Sequence, residues 1–262
     1  MIEAVTLDFG NTLVPVPASG LRAVVATTAA RMADRLGPFE TDDVLHAWGE
    51  ERERQFREEV PQFREVDLAQ RVIRILARLR GMAPPPPGAR WDDAAAAGMS
   101  EPGEVAWAVD VYSAAFVAAL PPTPGAGALL ERLASRYRLA VLSNWPLAAT
   151  IDRYTEVAGW SPHLAAVVVS QRVGTIKPHP AIFAAARSAL GDPAPAAILH
   201  VGDDWAADVV GAKRAGWRAA WLASRPADSP LPGSMRDGTV EADLELATLD
   251  DLEAALETLE RR

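Results

Sequence analysis

An acid that ends an apolar run, as Asp8 does in VTLDFGNTL, is either a loop or capping residue or a carboxylate held out for chemistry. Gly10 and Asn11 behind it tolerate left-handed or otherwise unusual backbone. The chain can therefore turn sharply there, expose the carboxylate and aim amides at an anion. Asp203 and Asp208, in ILHVGDDWAADVVGAKRAG, stand five apart across a loop and a first helical turn. At that spacing two carboxylates can converge on a hard cation that prefers oxygen, or can complement a helix dipole. Lys177 in VGTIKPHP is one of only two lysines among 26 cations, the other being Lys213. A compact ammonium in a Gly/Pro loop is a marked choice in a chain that otherwise uses Arg. Ser143 and Asn144 close LAVLSN before a helix beginning near Pro146, where a small polar cap is expected whatever the function.

These groups need elements to position them. Residues 3–8 read as a short buried strand carrying Asp8 at its carboxyl end. From about Leu21 to Leu120 the apolar spacing is helical, interrupted by APPPPGA at 83–89, and PPTPGAG at 121–127 returns the chain to the first domain. Then RLAVLSN, LAAVVVS, AAILHVGD and RAAWLA alternate with helical stretches, which predicts a parallel sheet with helices on both faces. Ligands bind such sheets at the carboxyl ends of the strands, where all the polar groups above fall. The tail, DLELATLDDLEAALETL, reads as a last short strand and a closing helix with Thr248 as N-cap. The predicted fold is α/β, a parallel-sheet Rossmann-like core of residues 1–14 and 122–262 with an inserted α-helical cap at 15–121.

Composition bounds the partners. At 262 residues and 49% hydrophobic the chain can bury a sizeable core. It has no cysteine, so disulfide, thiolate-metal and cysteine-nucleophile chemistry drop out. A net charge of −9 argues against nucleic acid as a general partner. No apolar stretch reaches the ~20 residues that span a bilayer, and the start lacks a signal-like pattern. The expectation is a cytoplasmic enzyme, monomer or homodimer, without membrane or nucleic-acid partners.

Taken in order, the segments around Asp8, Ser143, Lys177 and Asp203 resemble the four motifs of the haloacid dehalogenase-like (HAD) hydrolase superfamily, from residue 5 to residue 216. Gly202, Gly211, Ala212 and Gly216 accompany the fourth motif as they do in that family. The resemblance implies that Asp8 attacks the substrate to form a covalent aspartyl-enzyme and that Lys177 holds the assembly. It implies that Asn11, the Ser143 hydroxyl and the Asn144 amide bind phosphoryl oxygens. Asp8, Asp203, Asp208 and the Gly10 carbonyl would hold Mg²⁺, and Trp145 would face the cap. Asp204 reads as an N-cap or a support to the ligands. His179 reads as a loop or helix-start residue, and His46, His163 and His200 as structural. The cap would set specificity; Arg22, Arg31, Arg54 and Arg57 are anion contacts or solvated helix faces.

One departure bears on function. Most phosphatases of this family carry a second Asp two residues after the nucleophile, to protonate the leaving oxygen; this chain has Gly10. Three readings follow: a Mg²⁺-dependent phosphatase of a small phosphorylated metabolite, a 2-haloacid dehalogenase-like hydrolase, or a weakly active phosphometabolite binder. The phosphatase would either draw its acid from the cap or take leaving groups that need little protonation.

Overall fold

Ala4–Leu7 forms β1, every residue of it buried, as a strand covered on both faces requires. β2 (Arg138–Ser143) and β4 (Ile198–Gly202) pair with it in parallel on either side, Leu7 lying opposite both Val141 and Val201. β3 (Ala166–Val169), β5 (Arg218–Leu222) and β6 (Leu244–Leu246) complete a six-stranded parallel sheet of order β3-β2-β1-β4-β5-β6. These are the six strands the sequence predicts. The chain leaves β1 to one side for β2 and β3, then crosses back to β4. The carboxyl ends of β1, β2 and β4 therefore flank the point where strand order reverses, the usual place for a ligand crevice. The computed structural model describes residues 1–261.

Strand side chains alternate between two cores. Val5, Leu7, Leu139, Val141, Leu199 and Val201 enter the larger one. Ala4, Ala140, Leu142, Ile198 and Ala219 enter the other, against Ile182 and Phe183. This period of two, with apolar residues at both phases, is why the strands read as continuous apolar runs.

Between β1 and β2 lie α1 (Ala18–Leu36), α2 (Thr41–Glu59), α3 (Leu68–Leu79), α4 (Asp93–Ala97), α5 (Pro102–Ala119) and α6 (Ala126–Ala134). α1 packs on α5, α2 on α1 and α3, and α3 on α5. The Pro-rich stretch is the loop between α3 and α4, as predicted. α5 also packs on α7 (Ala148–Val157) of the sheet region. There Phe116 sits among Phe9, Trp145 and Tyr154, with ring centroids 5.0–6.2 Å apart, so helical block and sheet share one core. α8 (Ser170–Val173) and α9 (Pro180–Ala189) follow β3. Helical turns at Trp205–Val210 lead into α10 (Gly211–Arg214), and α11 (Leu252–Glu260) closes the chain. Thr248 caps the turn before α11 in a reciprocal pair with Asp251, as expected. Residues 223–243, between β5 and β6, form no strand or helix and lie over the strand ends. No described helix is long and apolar enough to cross a membrane.

Candidate active site

Asp8 follows β1, Asp203 follows β4, and Asp208 rises from the turns after it. The three carboxylates each offer an oxygen within 4.8 Å of the others. Lys177, 3% exposed, joins two of them through Nζ: it donates to Asp8 Oδ1 at 2.8 Å, Asp208 Oδ1 at 2.6 Å and the Leu142 carbonyl at 2.9 Å. The lysine's loop is fixed by Asn144, whose side chain accepts from Lys177 N and donates to Lys177 O. Asp208 is further held by His200 Nε2 at 3.0 Å and by the Asp204 amide at 2.9 Å. It lies so close to β4 that a Cβ on Gly202 would meet its carboxylate at 2.2 Å, so only glycine fits there.

Burial pushes the Asp8 carboxyl above its ordinary range; Lys177 opposes this and the neighbouring Asp208 adds to it. Asp208 also suffers burial, but Lys177 and His200 together hold it below the usual range. Asp203 is pushed up to about 8 by burial and by the charges of Asp8 and Asp208, with Arg225 and Lys177 only partly offsetting them. The site thus gathers more carboxylate than cation. Three converging hard oxygens, one of them short of positive charge, are a donor set that suits a small divalent ion such as Mg²⁺.

Of the two residues expected to allow unusual backbone, Asn11 takes the left-handed conformation, at φ 59°, while Gly10 does not and is set by crowding. A Cβ at Gly10 would stand 2.7 Å from Leu231 Cδ1 and 3.2 Å from the Trp145 ring. Leu231, from the 223–243 segment, therefore fills the space into which a side chain at residue 10 would project. The same segment sends Arg225 to Asp203 Oδ2 at 3.0 Å and Ser229 to Asn11. Asn11, expected to bind phosphoryl oxygens, lines the cavity and is also tied into the protein. Its amide donates to Val14 O, its Oδ1 accepts from Val16 N, and its Nδ2 donates to Ser229 and Asp203, so its polar groups face protein partners.

A family model of haloacid dehalogenase-like hydrolases matches residues 2–216, well over half of the chain. The chain belongs to this family. The HAD-like hydrolase is 28% identical over 130 residues to the pyrimidine 5'-nucleotidase YjjG of Escherichia coli, covering 50% of this chain and 56% of that one. It is 40% identical over 83 residues to a phosphoserine phosphatase of Thermus thermophilus, 31% of this chain and 33% of that one. The matches thus span less than two thirds of either relative. A 2-haloacid dehalogenase from Pseudomonas syringae superposes with a TM-score of 0.69 over 98% of this chain and 99% of that one, at 23% identity, a likeness of fold.

Other expected residues of this HAD-like hydrolase fall as follows. Ser143 is buried at the end of β2, and its hydroxyl bonds no described residue; it is not among the residues lining the cavity. Trp145 does meet the helical block, packed edge-on against Phe116 and Phe9. Asp204 caps the turns after β4 by accepting from the Ala207 amide. His179 starts α9, accepting from Ala181 N. His200, read as structural, belongs to the site, because it backs Asp208 while its Nδ1 meets the Thr6 hydroxyl at 2.8 Å. Arg54 is tied to Glu58 and to carbonyls of the Pro-rich loop. The arginines that line the cavity are Arg52 of α2 and Arg71 of α3, which the sequence reading did not single out. The cavity holds about 350 Å³, the scale of a small metabolite. Asp8, Asp203 and Asp208 are on its sheet side, and Phe56, Phe63, Tyr112 and the carboxyl of Glu65 on its helical side.

Proposed function

We infer that the chain is a Mg²⁺-dependent phosphatase of a small phosphorylated metabolite, working through an aspartyl phosphate on Asp8. What carries the reading is the three-carboxylate cluster around Lys177, whose converging oxygens suit a small divalent ion. The partial likeness to a nucleotidase and a phosphoserine phosphatase supports it.

Asp8, Asp203, Asp208 and the Gly10 carbonyl would hold the ion, which when bound neutralises the phosphoryl charge. Lys177 favours the ionised form of Asp8 and fixes its direction. The Asp8 carboxylate attacks phosphorus as the bond to the leaving oxygen breaks. Water then cleaves the acyl phosphate and regenerates Asp8, its proton leaving with inorganic phosphate. Ser143 and the Asn144 amide are the phosphoryl contacts that the family resemblance implies; of the two, Asn144 lines the cavity. No acid stands at residue 10, and the helical side offers the cavity one carboxyl, Glu65. Its oxygens are engaged by the Val66 amide and the Ser170 hydroxyl. The leaving groups that suit this arrangement best are those that need little protonation, as aryl, acyl and anomeric sugar phosphates do.

Removal of metal by chelator should lower phosphate release from phenyl phosphate by about 10²–10³-fold, with recovery on adding Mg²⁺. Leu231 in the space beside Gly10 favours one second reading, dehalogenation, since halide leaves without a proton. Full chloride release from 2-chloropropionate in excess chelator would select it.

The Gly10 site gives a further expected result. Gly10→Asp alone should lose activity, because its side chain meets Leu231 and Trp145. With Leu231→Ala beside it the acid has room, and turnover of alkyl phosphates should rise by about 10²-fold, more than that of aryl phosphates. Equal gains across leaving groups of graded acidity would show that proton donation was never limiting.

A further inference from the structure

Arg71 is a buried charge without an ion partner. It is 5% exposed, yet among the described residues it forms no salt bridge. Its Nε donates to Gln55 and its guanidinium lies over the Trp48 ring, 5.9 Å from the centroid. The nearby carboxylates are committed elsewhere: Glu65 to Val66 N and Ser170, Asp67 to Gln70 N and Gln171. Arg52 lines the same cavity, stacked on Phe56 and donating to Pro230 O, and it too lacks a salt bridge. Burial, with Arg52 as a like-charged neighbour, draws Arg71 down to about 10 against the opposing pull of Tyr112 and, from beyond ion-pair distance, of Glu65 and Asp67, so it stays charged at neutral pH. Leaving such a group unpaired is costly, and placing a second cation near it raises that cost. An anion between them would offset both.

We propose that Arg71, with Arg52, receives a carboxylate on the leaving group, so that the substrate is a phosphomonoester with a second anionic group opposite its phosphate. This rests on the phosphatase reading and adds the substrate class. The cavity is bipolar: the acid cluster faces the phosphoryl end, the guanidinium pair the far end. A planar fork matches a planar carboxylate in two hydrogen bonds. Tyr112 beside it adds a hydroxyl that bonds no described residue, held protonated by burial with a pKa near 12. The aromatic lining suits an unsaturated spacer.

The test compares phenyl phosphate, 4-carboxyphenyl phosphate and 4-(phosphonomethyl)phenyl phosphate on the Mg²⁺-loaded protein. The native enzyme should prefer the carboxylate by on the order of 10–100-fold in kcat/KM, mostly through KM. Arg71→Met should bring the ratio near one, and Arg71→Lys, which keeps charge but loses the fork, should fall between. Equal kcat/KM for phenyl and carboxyphenyl phosphate on native protein overturns the proposal without any variant. A preference for the phosphonate over the carboxylate overturns the carboxylate assignment. Binding of 4-hydroxybenzoate, read by tryptophan fluorescence, separates the two readings. If no ester is hydrolysed, the phosphatase reading falls, while binding lost in Arg71→Met still supports the anion site. Binding equal in both proteins removes it.

Discussion

Asp8→Asn should lower turnover by on the order of 10⁴-fold or more, the scale seen when a nucleophile is removed from an otherwise intact site. Asn keeps the shape and an acceptor for Lys177, so the 2.8 Å contact survives while the nucleophile does not. Removing one of three crowded carboxylates should also leave stability equal or higher. Burial already disfavours the charge on Asp8, and the neighbouring Asp208 adds to the penalty. The check is phosphate release together with thermal melting of freshly purified protein, with deamidation excluded by mass. Native turnover in the variant would remove Asp8 from the chemistry, and a large drop in melting temperature would mean its charge was structural.

What was legible in the sequence follows from where it sits on the backbone. Asp8, Ser143 and Asp203 stand at strand ends, and β1, β2 and β4 are apolar at both phases, so the runs and their terminal polar groups can be read directly; Lys177, in the loop between α8 and α9, shows instead as a rare lysine in a Gly/Pro stretch. His200 was not legible because its partners are made by strand pairing: it lies in β4 opposite Thr6 of β1 and below Asp208. Arg225, Ser229 and Leu231 lie in a segment with no periodicity, and their contacts, to Asp203, Asn11 and the space beside Gly10, are long-range. The partners of Asn11 were not legible either, because an unusual backbone can turn polar groups outward or inward, and here its side chain meets Ser229 and the Val16 amide. Arg71 did leave a signal. In LAQRVIRILARL it falls three after Leu68 and four before Ile75, on the apolar face of α3, where a solvated arginine would not be placed.

Lys177→Met should cost both activity and stability. The ammonium is the shared donor of Asp8 and Asp208 and of the Leu142 carbonyl, all buried. Removing one partner of a buried pair leaves uncompensated charge, an effect of about 3–5 kcal/mol. At roughly 2–4 °C per kcal/mol for a chain of this size, melting should fall by about 6–20 °C. Turnover should fall by about 10³-fold or more, since Asp8 loses the group that favours its ionised form. Packing loss alone could also lower the melting point, and pH separates the two causes. In native protein Lys177 holds Asp208 below the ordinary carboxyl range, a stabilisation present above that range and lost on acidification. Without the lysine, burial is opposed only by His200 and Arg225 and the carboxyl pKa values rise, so the folded variant binds protons that the unfolded chain has released, and its stability falls as pH rises. The gap in melting temperature between native and Lys177→Met, measured without metal, should therefore widen from about pH 5 to about pH 8. A gap that stays constant across that range would assign the loss to the missing methylene packing and leave Lys177 without its electrostatic role.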